Sequence, residues 1–108
     1  MEFTINGVKW GVQFVRGTDN RLMRSDGTLT LGVTDWMTKK VYLSDALAGD
    51  LLRRVVAHEL VHCFMFSHSI YIPIDEEEFI ADWVATYGTD LVILLDDLLQ
   101  AIERRRFA

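Results

Sequence analysis

The chain has few of the residues that staple or interrupt a fold. A single cysteine, Cys63, rules out an internal disulfide, and a single proline, Pro73, leaves long helices possible. Basic charge is also short: 11 Lys and Arg against 16 Asp and Glu give a formal net charge of -5 and a pI near 5.0. A general nucleic-acid binder would carry a basic patch. The one basic run, Arg104, Arg105 and Arg106, ends a helical pattern, where cations complement the helix dipole. No apolar stretch has the roughly 20 residues that a membrane span needs. The start Met1-Glu2-Phe3-Thr4 lacks the basic first segment and apolar core of a signal peptide. The expectation is a cytoplasmic protein with neither nucleic acid nor membrane as partner.

What is present suits one packed domain over residues 1–108. Half the residues are hydrophobic and 25% are charged, enough for a core and an ordinary soluble surface. Repeats and low-complexity segments are absent. Histidine is scarce, and two of the three histidines fall within five residues of each other, in His58-Glu59-Leu60-Val61-His62.

Alternation at Val8, Trp10, Val12 and Phe14, preceded by Asn6-Gly7, predicts a strand entered from a tight hairpin. Residues 16–28 are polar and read as loop. Residues 28–34 alternate again through Leu29, Leu31 and Val33, and residues 40–44 through Val41 and Leu43, which predicts a second antiparallel hairpin. Gly49-Asp50 is a candidate cap for the next helix. Residues 51–67 are apolar nearly all round, which predicts a central, buried helix. Glu76, Glu77 and Glu78 open another helix, with Ala81, Val84 and Ala85 on its apolar face and Glu76 and Glu77 facing solvent. That helix either ends near Gly88, with Asp90 capping a last one, or runs on through the glycine. The fold class is α+β: a small antiparallel sheet on a buried helix, with one or two C-terminal helices.

The motif lies on the buried helix. Positions four apart share a helix face, so His58 and His62 can offer two imidazoles to one cation. Glu59 is placed to act as general base on a water activated by that cation, the arrangement of a catalytic zinc site. Burying the three groups without a partner would be costly. Cys63, one residue past His62, reads as a small buried side chain and not a ligand.

A catalytic zinc site needs a third protein ligand. His68 lies ten residues after His58, but Met65 stands where a helix-breaking glycine would be needed. On a continuing helix His68 would be about 80° round the axis from His58. Glu78, on the next helix, is the better candidate, with Asp82 one turn on to accept the free ring N–H of a histidine. His68 stays as the alternative.

HELVH and, downstream, Glu78-Phe79-Ile80-Ala81-Asp82-Trp83-Val84-Ala85 together resemble the gluzincin pattern. The chain is most similar to ImmA/IrrE-type metallopeptidase domains of phages and bacteria, over about residues 28–88. The resemblance implies a zincin-like fold, a Zn2+ ion held by His58, His62 and Glu78, Glu59 as base, and Asp82 in support. It also implies hydrolysis of a protein or peptide substrate paired as a strand along residues 28–34 or 40–44. Tyr71 and Tyr87 are candidates to stabilise the oxyanion. The alternative is a zinc-stabilised, non-catalytic module that binds a protein partner.

Overall fold

The computed structural model describes residues 1–24 and 26–107. Strands β1 (Glu2–Ile5) and β2 (Val8–Val15) form an antiparallel hairpin. The turn between them has positive φ at both Asn6 (48°) and Gly7 (79°), the backbone signature of a type I′ turn that Asn-Gly favours. A short 3-10 turn at Asn20–Leu22 then buries Leu22 completely. Strands β3 (Gly32–Asp35) and β4 (Lys40–Ser44) form a second antiparallel hairpin.

The sheet order is β1-β2-β4-β3, with β2 and β4 parallel. The sheet is therefore mixed, not antiparallel throughout. Two hairpins joined through a parallel central pair leave β1 and β3 as the edges. β4 is interior, bonded on both sides, which removes residues 40–44 as a strand open to a substrate. The 28–34 strand is also shorter than its alternation suggests. Residue 29 makes only an isolated bridge to Met23, and regular pairing begins at Gly32.

Helix α1 (Gly49–Ser67) packs across the sheet, and helix α2 (Ile74–Phe107) packs on α1. The core lies between sheet and α1 and centres on Trp10, Leu43 and Cys63, with Ile5, Val41 and Leu47 around them. Trp10 donates its indole N–H to Ser67 Oγ at 2.9 Å, and Asn6 Nδ2 donates to the Ser67 carbonyl at 3.1 Å. The first hairpin thus fixes the C-terminal end of α1.

α1 is not buried all round. Its buried residues are Glu59, Cys63 and Ser67, a single line at four-residue spacing, while Leu51 and Phe64 are about half exposed. Apolar residues on its outer faces meet α2 along only part of their length. The cap differs as well: Ala48 holds the cap position with no side-chain bond, and Asp50 in the first turn pairs with Arg53. α2 continues through Gly88 and Asp90 without a break, so there is one C-terminal helix of 34 residues. Among the described residues, no helix is long and apolar enough to cross a membrane.

Gly32 sets how closely β3 approaches α1. A Cβ built there would lie 2.8 Å from Val55 Cγ1, 3.2 Å from Glu59 Cγ and 3.3 Å from Leu43 Cδ2. Neither the helix nor β4 can yield without displacing core atoms, and overpacking of this kind costs about 1–3 kcal/mol. Gly32→Ala should lower stability by that amount in urea unfolding. Gly7→Ala, with open space around it, should show only the strain of its positive φ.

Candidate metal centre

The line of buried residues on α1 decides where the motif histidines face. Glu59, Cys63 and Ser67 point into the sheet, so His58 and His62, one residue earlier in each turn, are rotated by about 100° toward α2. Their side chains are mostly covered, at 19% and 13% relative exposure. The rings lie edge to face with centroids 5.0 Å apart, and their Nε2 atoms are 3.3 Å from each other.

The first two turns of α2 come to meet them. Glu78 places Oε2 3.1 Å from His58 Nε2 and Oε1 2.9 Å from His62 Nε2. Asp82 Oδ1 lies 2.9 Å from His58 Nδ1. Glu77 Oε2 lies 2.5 Å from His62 Nδ1. Each imidazole is therefore backed by a carboxylate at its outer nitrogen, an arrangement that favours the proton on Nδ1 and an Nε2 lone pair facing inward.

Two lone pairs and a carboxylate then converge on one point. That arrangement is repulsive unless a proton or a cation lies between them. Donor atoms bound tetrahedrally at about 2.0–2.1 Å stand about 3.3 Å apart. The two Nε2 atoms, 3.3 Å apart, stand at that spacing, and Glu78 spans them with one oxygen 3.1 Å from His58 and the other 2.9 Å from His62. Among the described residues, His58, His62 and Glu78 are the group whose donor atoms, all within 4.8 Å of one another, can hold a metal ion. Glu59, Glu77 and Asp82 add negative charge around it, which favours a cation further.

Glu59 sits beside the group without joining it. Its Oε2 is 4.0 Å from His58 Nε2, and its Oε1 accepts a hydrogen bond from the Thr34 hydroxyl at 2.9 Å. Thr34 is on edge strand β3, so the strand holds this carboxylate in place. A cleft of about 770 Å³ opens over the histidines, walled by Thr34, Trp36, Phe66, Ile70 and Tyr71. A second cavity of about 540 Å³ continues past His58 and Glu59 along residues 29–32, toward Arg54 and Thr86.

Of the residues singled out in the sequence, His58, Glu59, His62, Glu78 and Asp82 come together here. His68 does not: it caps the C-terminus of α1, exposed, with its ring stacked on Phe64. Tyr71 lines the cleft, whereas Tyr87 is on the outer side of α2 against Trp83. Glu77 is a correction, since the sequence pattern placed it in solvent; its side chain is only 17% exposed and bonded to His62. The available signal was its position, directly before Glu78 in the turn that faces the second histidine. Thr34 carried no sequence signal, because only the β3–α1 packing brings it to Glu59. Comparison with protein-family models, with curated proteins and with solved structures found no match for the chain.

Cys63 lies behind this group, fully buried. Burial pushes its thiol up from 9.0 to about 12; a Thr34 hydrogen bond opposes the rise and the nearby Glu59 charge adds to it. A thiol held protonated is a poor nucleophile and a poor ligand. In the folded protein at pH 8, Cys63 should resist a thiol reagent such as dithionitrobenzoate and react only at the rate of unfolding. Because the folded pKa is raised, the contribution to stability is complete below pH 9 and is lost as pH rises toward about 12. Urea midpoints measured across that window should fall in wild type more than in Cys63→Ala.

Proposed function

We propose that the chain is a small zincin-like domain that hydrolyses peptide bonds with the help of a zinc ion. The observation that carries this reading is the convergence of His58, His62 and Glu78, with donor atoms all within 4.8 Å of one another, and with Glu59 alongside but outside the group. Bound there, zinc would bring the pKa of a coordinated water toward neutrality and polarise the scissile carbonyl. The chain's own groups supply the rest. Asp82 and Glu77 keep both imidazoles in the tautomer that presents Nε2.

Thr34 fixes one oxygen of Glu59 and leaves the other to accept the proton of the attacking water and pass it to the leaving amine. β3 is an edge strand, paired only with β4, and its outer side runs next to Glu59. An extended peptide can add to it as a further strand, its side chains falling into the two cavities. The phenol of Tyr71, exposed on the connection between the helices and lining the cleft, is the available donor for the developing oxyanion. The roles given to His58, Glu59, His62, Glu78 and Asp82 are those that the resemblance to ImmA/IrrE-type domains implies, and Tyr87, packed against Trp83 away from the cleft, has no part in them.

Metal content and hydrolysis test the proposal separately. The purified protein should hold about one zinc per chain, and zinc should raise its melting temperature. Glu59→Gln should keep the zinc and lose cleavage of an unstructured peptide library, read by mass spectrometry, by about 10²–10⁴-fold. Cleavage undiminished in that variant would overturn the base; zinc binding with no cleavage by wild type would leave the non-catalytic binding module in its place.

The carboxylates behind the histidines give a finer test. Glu77→Gln and Asp82→Asn should each weaken zinc binding by about 10–100-fold, while Glu76→Gln, an exposed neighbour, should leave it unchanged. Equal effects at all three positions would show a general loss of negative charge and not the orientation of imidazoles.

A further inference from the structure

Beyond Thr89, which accepts a hydrogen bond from Arg53 of α1, helix α2 leaves the body of the protein. Residues 90–100 are all exposed, and they include Leu91, Val92, Ile93, Leu94, Leu95, Leu98 and Leu99, each about half accessible. The molecule is accordingly 58 Å long and about half that in the other directions. A helix this apolar belongs inside a protein or an interface, and a contiguous patch of this extent exceeds what monomers usually leave in water.

The pattern along the segment indicates what covers it. Leu91, Leu94, Leu98 and Ala101 follow one another at spacings of three and four, the seam of a coiled coil, and Leu95 and Ile102 widen it on one side. On the other side Asp90, Asp97 and Arg104 repeat every seven residues and form one flank. In an antiparallel pair the same flank of each helix meets its counterpart, so Asp90 of one copy comes beside Arg104 of the other, twice by symmetry. A parallel pair would bring the basic ends together and align the dipoles unfavourably.

We infer that the C-terminal part of α2 is a dimerisation arm, and that its occupant is the same segment of a second copy, packed antiparallel about a two-fold axis near Asp97. About 20 residues from each chain give a seam about 30 Å long, with one self-complementary patch per protomer. The two Asp97 carboxylates meet near the axis and oppose the association, while the leucines and the two Asp90–Arg104 pairs favour it. The dimer is independent of the metal reading, since none of the arm residues touches the histidines.

Sedimentation equilibrium of the whole chain tests this, with circular dichroism to check that each variant keeps its helix. Wild type should have twice the chain mass at micromolar concentration. The double variant Leu94→Glu, Leu98→Glu should be monomeric with the domain still folded, since both side chains are already exposed in the single chain. Asp90→Arg and Arg104→Asp should each weaken the dimer by about tenfold, the combined charge swap should restore it, and Asp97→Asn should strengthen it by a few-fold.

A wild-type monomer would overturn the inference. So would a dimer that survives the glutamate pair, or single charge variants that the swap does not rescue. Binding of a monomeric wild type to phosphatidylcholine and phosphatidylglycerol vesicles would assign the arm to a lipid surface instead.

Discussion

The rotation of α1 on the sheet governs the placement of every group in the candidate centre. Glu59, Cys63 and Ser67 form its buried line, and each meets a strand: Glu59 the Thr34 hydroxyl, Cys63 the core, Ser67 the Trp10 indole. With that line fixed, His58 and His62 can face only α2. Turning the helix by one residue would bury the imidazoles under the sheet and carry Glu59 away from β3. The hydrogen bond from Trp10 to Ser67 is therefore a constraint on the site, although it lies two turns from it.

Buried polar groups are tolerable in this line because every one has a partner. Among the described residues, no buried side-chain nitrogen or oxygen lacks one. Such a line costs desolvation that an apolar line would not, and in return it has a single good register. An apolar helix face can slide or rotate by a fraction of a turn at little cost. A serine bonded to an indole and a glutamate bonded to a threonine cannot. Precise placement of the Glu59 carboxylate beside the histidines calls for that second kind of contact.

What the sequence made legible was local. Asn6-Gly7 announced its turn because only a few residue types accept positive φ twice in succession. The spacing of His58 and His62, and of Glu78 and Asp82, is helix geometry, and Asp82 does reach His58. The parallel pairing of β2 with β4 left no such signal, since alternation gives a strand's faces and not its neighbours. Glu77 was misread because an acidic first turn normally faces solvent; here the crossing of α2 over α1 brings it to His62. The apolar residues of α1 suggested a helix covered on all sides, but covering it would take more chain than two helices and four short strands supply.

The same shortage of covering surface explains α2. Its first turns are held by the histidines and by Arg53 and Arg54, whose guanidinium groups bond Thr89 and Thr86. Past those bonds the helix has nothing to rest on, yet its apolar content rises. Helical propensity alone rarely holds an unsupported stretch of that length against water, because most helical stability in proteins comes from tertiary packing. Residues 77–82 and the arm nevertheless lie on one helix with no break between them. The two ends of α2 therefore meet separate demands: its first turns face His58 and His62 through Glu77, Glu78 and Asp82, and its later turns carry apolar side chains that the rest of the chain does not cover.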